Sequence, residues 1–292
     1  MNLADYSYHF TEYPLSCDGI NLFLECMTVD QIVPERSILL VHGATHASLV
    51  FDVNYEDYSL ARKLVREGFA VWRLDIAGYG RSGDVPDGFL PRMDYAAEDI
   101  HAAVTLIRQE IGHDSVDLLG WSWGTVTTGR FVVKYPELVH KLVFYAPLLT
   151  GIGHREITEE FFPITWESMT EDFQCTDDGE IDSTIVDPGL VKLWCATCRR
   201  YNKSQSPNAC RLDFFVHHSQ KLIDLDAINA PTLVICGDKD PYLDYRHIRS
   251  SLNHLPEGSE LEVIPGGSHI VMYEKPYYRD FQDKLIRFLC KE

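Results

Sequence analysis

Hydrophobic residues follow two different spacings in this sequence, and the two spacings alternate along most of the chain. Short, continuous apolar runs predict strands that are buried on both faces. Such a run lies at residues 37–43, and further strands are predicted at 70–76, 115–120, 141–146, 232–236 and 260–264. Apolar residues that recur every three or four positions predict amphipathic helices. The helical segments are residues 58–67, 95–111, 124–134, 245–252 and 277–289. This alternation indicates a mostly parallel sheet with helices on both faces.

The pattern differs at the start of the chain and again in its middle. Residues 8–15 and 20–27 are predicted strands, which the turn residues 17–19 separate. Between about residues 148 and 228 the alternation stops, and paired aromatic residues, acidic runs and helix-like patches replace it. A stretch of this length is too long for a plain loop. We therefore predict a mainly helical insertion between two strands of the main sheet, and we call this insertion the cap. The resulting division is an α/β core at 1–147 and 229–292, and a cap at 148–228.

Composition and charge narrow the range of partners. The chain has 292 residues, of which 45% are hydrophobic, and this suffices for one large α/β domain. Its net charge of −18 at pH 7 disfavours nucleic acid and anionic membrane surfaces as partners. The N-terminus lacks the basic and apolar regions of a secretion signal, and no stretch approaches the roughly 18 apolar residues of a membrane span. We expect a soluble, cytoplasmic protein that acts on a small molecule.

The eight cysteines are scattered along the chain rather than arranged as a compact disulfide framework, so we expect reduced thiols. Cys195 and Cys198 form a C-x-x-C pair, a spacing that redox pairs and zinc sites use. No second C-x-x-C or H-x-x-x-H accompanies it, and the flanking sequence has helical character, in which positions i and i+3 merely share a face. The sequence therefore predicts neither a metal site nor a cofactor.

A G-x-S-x-G motif centred on Ser122 lies between a predicted strand and a predicted helix. At such a junction the serine sits on a sharp, strained turn that lifts its hydroxyl above the sheet edge. The glycines are needed because larger residues would clash with the crossing backbone, and the helix N-terminus adds positive potential. We interpret Ser122 as a candidate nucleophile.

A serine hydroxyl is a poor nucleophile at neutral pH and needs a base from elsewhere in the fold. Among the 12 histidines, His269 follows the last predicted strand, where a loop would project it over the carboxyl edge of the sheet. The loop after the strand at 232–236 offers two carboxylates, Asp238 and Asp240. Asp240 lies further along this loop and is the better placed to reach the histidine. The chain order Ser122, Asp240, His269 is one of the orders in which the members of a serine catalytic triad occur.

Negative charge that develops on a carbonyl oxygen requires backbone N–H donors that are already in place. The N–H of Trp123, directly after Ser122, is one candidate. The N–H of Ala44, in the loop after His42 and Gly43, is the other. We expect His42 to hold this loop by hydrogen bonding rather than to act on a substrate.

Five segments of the chain together resemble the α/β-hydrolase superfamily, in the group with a cap after the sixth strand. The segments are LLVHGA (39–44), LDIAGYGRSG (74–83), LLGWSWG (118–124), ICGDKDP (235–241) and GGSHIVMYEKP (266–276). In the family the second segment usually contains proline where this chain has Ala77. That segment orders a loop and does no chemistry, so the site assignment is unaffected. Relatives with aspartate in place of Ser122 are dehalogenases or epoxide hydrolases, and the serine argues against both.

The resemblance implies acyl transfer, in which Ser122 attacks a carbonyl and His269 takes and returns the proton. It implies no metal or organic cofactor. Aromatic side chains near the motif and in the cap are candidate walls of the substrate pocket. They are Trp121, Tyr145, Phe161, Phe162 and Trp166.

Three functions remain open at this point. The first is hydrolysis of an ester, lactone or thioester of a small to medium, largely apolar acyl group. The second is serine-dependent hydrolysis of a C–C bond, or acyl transfer to another acceptor, because a triad does not specify the bond that breaks. The third is a ligand receptor without catalysis, since a fold does not fix function. The intact Ser, His and Asp set favours an enzyme.

Overall fold

Residues 6–291, which are the residues that this computed structural model describes, contain ten strands and eight α-helices. The strands are β1 (Tyr8–Cys17), β2 (Ile20–Val29), β3 (Arg36–Val41), β4 (Phe69–Asp75), β5 (Val116–Trp121), β6 (Val139–Tyr145), β7 (Phe161–Pro163), β8 (Gln205–Pro207), β9 (Thr232–Gly237) and β10 (Glu260–Ile264). The helices are α1 (Leu60–Arg66), α2 (Met93–Ile111), α3 (Trp123–Lys134), α4 (Trp166–Thr170), α5 (Pro188–Tyr201), α6 (Ala209–Phe214), α7 (Tyr245–Ser250) and α8 (Tyr278–Cys290). Short 3₁₀ turns occur at 48–51, 136–138, 225–227, 251–253 and 271–273.

Eight of the strands form one sheet in the order β1-β2-β4-β3-β5-β6-β9-β10. β1 pairs antiparallel with β2, and β2 pairs antiparallel with β4, whereas all the other neighbours are parallel. The mostly parallel sheet flanked by helices is therefore confirmed. The turn that joins β1 to β2 has left-handed backbone at Asp18 (φ +47°) and Gly19 (φ +77°), the geometry of a tight hairpin.

Side chains from the two faces of the sheet enter two separate hydrophobic clusters. Leu118 of β5 belongs to the cluster that includes Val104 of α2 and Phe131 of α3. Its neighbour Leu119 belongs to the cluster that includes Leu285 of α8. Adjacent residues of a strand point to opposite faces, so each central strand must be apolar on both sides. This explains the continuous apolar runs in the sequence.

The parallel strands end at one edge of the sheet, and their loops meet there. Gly120 of β5 is level with Val41 of β3, and Trp121 is level with Tyr145 of β6. Tyr145 is in turn level with Ile235 of β9. Ligand sites of open α/β sheets lie outside the carboxyl ends of the strands. The segments that follow these strands are therefore the ones that form a site.

The long segment between β6 and β9 contains α4, α5 and α6 and a small two-stranded sheet. In that sheet β7 pairs antiparallel with β8, with Phe161 opposite Pro207. The sequence suggested a mainly helical cap here, and the structure adds this sheet and an irregular stretch between α4 and α5. α5 begins as its sequence indicates, because Asp187 accepts a hydrogen bond from the Gly189 N–H and Pro188 occupies the first turn.

None of the helices within residues 6–291 combines the length and the apolar character that a membrane span requires. The longest, α2, has 19 residues and carries charged side chains such as Asp94 and Arg108 along its length.

Candidate active site

Ser122 occupies a sharp turn between β5 and α3. Its backbone has φ +56° and ψ −123°, a left-handed conformation that is unfavourable for a residue with a side chain. Hydrogen bonds hold the turn on both sides. The Ser122 N–H donates to the Tyr145 carbonyl at 3.0 Å, and the Ser122 carbonyl accepts from the Thr125 N–H at 2.9 Å and from its hydroxyl at 2.6 Å. Strain of about 1–3 kcal/mol persists only where surrounding contacts enforce it, as they do here.

Two glycines allow the backbone to cross closely at this turn. A Cβ atom on Gly120 would lie 2.3 Å from the Gly124 carbonyl oxygen. A Cβ atom on Gly124 would lie 2.5 Å from the carbonyl oxygen of Val41 and 2.6 Å from that of His42. These atoms belong to the backbone and cannot move aside. The G-x-S-x-G pattern is therefore a steric requirement of the turn.

We expect Gly124→Ala to lower the free energy of unfolding by about 3 kcal/mol or more, because the new methyl group overlaps rigid backbone oxygens. The helical location alone would make alanine favourable by up to about 1 kcal/mol. Gly129→Ala is the matched control, since Gly129 also lies in α3 but its added Cβ would meet the Ile223 side chain, which can move. Urea unfolding measures both changes. Equal or smaller loss at Gly124 would contradict the steric argument.

His269 and Asp240 form a buried pair on the loops after β10 and β9. The His269 Nδ1 lies 2.6 Å from the Asp240 Oδ2, and both side chains are at most 3% exposed. The other carboxylate oxygen of Asp240 accepts from the Tyr242 N–H at 3.0 Å. Asp238 takes a different role, because its Oδ1 accepts from the Gly266 N–H at 2.7 Å on the exposed side of the loop. The structure thus pairs the histidine with Asp240.

Aromatic rings and a second carboxylate surround the imidazole of His269. The Tyr242 ring meets it edge-on at 4.8 Å, and the Trp121 indole donates to the His269 carbonyl at 3.1 Å. Burial lowers the pKa of His269, but the nearby carboxylates of Asp240 and Asp172 outweigh it and raise this pKa to about 9. Burial and the nearby Asp172 carboxylate raise the pKa of Tyr242, so its hydroxyl stays protonated beside Asp172. The imidazolium form is therefore stabilised from two sides.

The loop after β3 approaches Ser122 from the other side. A Cβ atom on Gly43 would lie only 3.1 Å from the Ser122 Cβ, and Ala44, the next residue, lines the same cavity as Ser122. As expected, His42 holds this loop: its Nδ1 lies 2.8 Å from the Gly43 carbonyl, and its Nε2 accepts from the Ile76 N–H at 3.1 Å. Trp123 is the first residue of α3, where backbone N–H groups have no partner within the helix.

A cavity of about 230 Å³ joins these groups. Ser122 and His269 both line it, although no hydrogen bond connects their side chains within the part of the chain that the structure describes. Catalytic hydrogen bonds are often long in ligand-free enzymes and tighten when substrate binds. The full lining is Ala44, Thr45, His46, Trp121, Ser122, Leu148, Ile152, Arg155, Phe162, Glu171, Asp172, Arg211, Phe214, Phe215, Tyr242 and His269.

Two of the five aromatic residues that the sequence suggested as pocket walls, Trp121 and Phe162, line this cavity. The suggestion is corrected for the other three. Tyr145 is fully buried beneath the site, where its ring contacts Phe281 and its hydroxyl accepts from the Met272 N–H. Phe161 precedes Phe162 on β7 and faces the opposite side, against the hydrophobic core. Trp166 lies on the outer surface and is 47% exposed.

Several cavity residues have no counterpart among the sequence-based predictions. The segment between β6 and β9 contributes most of them, including Arg155, Glu171, Asp172 and Arg211. His46, from the loop after β3, is buried against Trp194 of α5. Burial lowers the pKa of His46 to about 3, so its imidazole is uncharged where it lines the cavity. No motif marks these positions. For Arg155, Glu171, Asp172 and Arg211 the only signal is their location in the inserted segment, and His46 has only its place in the loop after β3.

The C-x-x-C pair lies on one face of α5, as its spacing indicated, and both thiols are buried. Burial raises the pKa of both thiols, so they are neutral at physiological pH. Within residues 6–291 no group of three or more His, Cys, Asp or Glu side chains is arranged to hold a metal ion.

Comparison with known proteins places the chain among hydrolases. The profile of the family described as "Serine aminopeptidase, S33" matches residues 33–276. The serine hydrolase BPHL of Mus musculus is 27% identical over 213 residues, which are 71% of this chain and 66% of that protein, just under two thirds of its length. A proline iminopeptidase of Saccharolobus solfataricus is 22% identical over 94% of this chain and 91% of its own.

Solved structures share the fold at lower identity. The esterase EaEST from Exiguobacterium antarcticum superimposes with a TM-score of 0.68 at 18% identity, covering 96% of this chain and 99% of the esterase. The resemblance to the α/β-hydrolase superfamily is thereby confirmed for nearly the whole chain. The chain belongs to the serine aminopeptidase S33 family of α/β-hydrolases.

Proposed function

We propose that the protein is a serine hydrolase that cleaves an ester-type bond, in an ester, lactone or thioester, of a small to medium acyl substrate. In this proposal Ser122 is the nucleophile, His269 the general base and Asp240 the carboxylate that orients the histidine. The observation that carries the proposal is the buried His269–Asp240 pair, 2.6 Å apart, on a cavity that the strained Ser122 also lines. The family and the hydrolases among its relatives support it.

Each group has a defined task in this mechanism. The His269 Nδ1–H donates to Asp240, which leaves Nε2 free to take the proton of the Ser122 hydroxyl as the serine attacks the carbonyl carbon. The same proton then passes to the leaving group. Water attacks the acyl-enzyme in a second round, with His269 again acting as the base. The acyl group leaves as a carboxylic acid, and the serine is restored.

The backbone N–H groups of Ala44 and Trp123 are the proposed donors to the oxyanion of the tetrahedral intermediate. Gly43 approaches within Cβ contact of Ser122, which brings the Ala44 loop beside the reacting carbon, and Trp123 begins the helix directly after the nucleophile. Donors of this kind act where charge develops and typically contribute about 3–4 kcal/mol each to the barrier. The positive end of α3 adds to their effect.

A substrate panel tests the bond class. We expect the purified protein to hydrolyse p-nitrophenyl esters, homoserine lactones or acyl thioesters at rates that exceed those on β-diketones by orders of magnitude. Preference for the β-diketones would instead support C–C bond hydrolysis. Failure on every acyl substrate would support the receptor function.

A second candidate is hydrolysis of an aminoacyl bond. The carboxylates of Glu171 and Asp172 line the cavity and would attract the free amine of such a substrate. A proline iminopeptidase is also among the similar proteins. Prolyl and alanyl p-nitroanilides distinguish this candidate, because faster turnover of these amides than of p-nitrophenyl acetate would favour it.

The raised pKa of His269 predicts an alkaline activity profile. Because the free imidazole is required as a base, kcat/KM should rise with pH through a midpoint near 9, where His269 loses its proton. Asp172→Asn should move this midpoint to lower pH, since it removes a negative charge that stabilises the imidazolium. Asp178→Asn, at an exposed position of the same segment, is the control and should leave the profile in place. A pH–rate profile of each variant measures the midpoint, and an unshifted profile for Asp172→Asn would contradict the assignment.

A further inference from the structure

The cavity contains a buried arginine that forms no ion pair in the described part of the chain. Arg211 of α6 is 6% exposed and lines the cavity, yet within residues 6–291 no carboxylate lies within ion-pair distance of its guanidinium. Arg73, the other strongly buried arginine, pairs with Glu25 and lies 3.7 Å from Asp52. A buried charge without a counter-ion is costly, so its retention calls for a function.

Neutral groups hold the guanidinium in a fixed position. It donates to the Thr45 hydroxyl at 3.0 Å, to the Asn208 side-chain oxygen at 3.3 Å and weakly to the Cys210 sulfur at 3.6 Å. Its plane lies over the Phe162 ring, 3.6 Å from the centroid. These contacts orient the cation but give it no carboxylate partner at ion-pair distance. A guanidinium has five N–H donors, so at least two have no partner in the described part of the chain.

Arg211 contacts the loop that carries the proposed oxyanion donor. Thr45, its hydrogen-bond partner, directly follows Ala44, the proposed oxyanion donor next to Ser122. The acidic side chains of the cavity form no ion pair with it. Asp172 lies beside Tyr242 and His269. Burial raises the pKa of Glu171 and the nearby charge of Arg211 acts to lower it, but Glu171 lies beyond ion-pair distance of Arg211. The cavity therefore has a cationic end near the oxyanion loop and an acidic end near the histidine.

We propose that Arg211 binds a free carboxylate of the substrate, so that the preferred substrate is an acyl ester carrying a second, ionised carboxyl group, such as a monoester of a short dicarboxylic acid. This rests on the proposed ester hydrolysis. A planar, monoanionic carboxylate matches the fork of a guanidinium and accepts two parallel hydrogen bonds. Arg211 and Ser122 line the same small cavity of about 230 Å³, which favours a short link between such a carboxylate and the scissile carbonyl.

Two esters of the same shape test the proposal. They are monoethyl succinate and ethyl 4-methylpentanoate, in which an isopropyl group replaces the carboxylate, and proton release measures their hydrolysis. We expect Arg211→Met to lower kcat/KM for monoethyl succinate about 100-fold and to change that for the neutral ester less than about threefold. Arg211→Lys, which keeps the charge but loses the fork, should lose about tenfold. The control Arg130→Met, on the surface of α3, should change neither.

Equal losses on the two esters would overturn the proposal, because Arg211 would then support the site without recognising the carboxylate. If Arg211→Met does not fold, as circular dichroism would show, the ratio of the two rates in Arg211→Lys decides instead. An undiminished preference for monoethyl succinate in that variant also overturns the proposal.

Calorimetric measurement of binding tests the carboxylate site independently of the proposed hydrolase activity. Monoethyl succinate should bind Ser122→Ala protein, and the binding should fall about 100-fold when Arg211→Met is added. If the wild-type protein hydrolyses neither ester but this Arg211-dependent binding is present, the hydrolase assignment fails and the carboxylate site stands. If ethyl 4-methylpentanoate is hydrolysed and monoethyl succinate neither binds nor reacts, the hydrolase assignment stands and the carboxylate site is wrong.

Discussion

Replacement of Ser122 by alanine is expected to abolish both turnover and labelling by a serine-directed fluorophosphonate. The reagent requires a serine that faces a base and oxyanion donors, and Ser122 shares its cavity with His269 and Ala44. The wild-type protein should therefore gain one adduct per chain. Loss of the nucleophile typically lowers kcat by about 10⁶-fold in triad enzymes. Intact mass spectrometry counts the adducts, and peptide mapping locates them.

Ser204→Ala is a suitable control for this experiment, because Ser204 is an exposed serine of the inserted segment. This variant should label and turn over as the wild type does. Alanine at position 122 should also preserve the fold, since Gly120 and Gly124 still permit the crossing of the backbone. Hydrolysis that persists undiminished in Ser122→Ala, or a label on another residue, would show that the reaction uses a different nucleophile.

The elements of the sheet were predictable because each depends on a local pattern. β10 (Glu260–Ile264) has the predicted bounds, and β9 extends one residue beyond its apolar run. The turn at Ser122 was also predictable, since the two glycines are a steric requirement that the sequence displays directly. The positions of Asp240 and His269 followed from the strands that precede them. Parallel strands carry their loops to one edge of the sheet wherever those loops occur in the chain.

The cavity walls were not predictable in the same way. Arg211 and Asp172 lie in a segment without regular periodicity, so the sequence does not indicate which of its side chains turn inward. Tyr145 and Phe161 lie on strands, and their difficulty is a different one. A change of one residue in the register of a strand decides whether an aromatic side chain faces the site or the core. Both face away from the cavity. Such details depend on tertiary packing, which local patterns do not encode.

Asp240→Asn is expected to lower kcat by about 10⁴-fold, and Asp238→Asn by less than about threefold. The Tyr242 N–H donates to Oδ1 of Asp240 at 3.0 Å, so in the first variant the amide oxygen should occupy this position. The amide nitrogen then points toward His269. The imidazole must then accept at Nδ1 and carry its proton on Nε2, where it cannot take the proton of Ser122. The same tautomer change causes a loss of about this size in a well-studied triad.

Asp238→Asn is the matched control because it makes the same chemical change on the same loop. Its amide oxygen can still accept from the Gly266 N–H, which lies 2.7 Å from Oδ1, so the loop geometry should persist. Steady-state hydrolysis of one p-nitrophenyl ester by both variants and the wild type measures the difference, and urea unfolding shows whether either change acts through stability. A larger kcat loss for Asp238→Asn would reverse the assignment. It would mean that the buried 2.6 Å pair is structural and that another carboxylate orients His269 during the reaction.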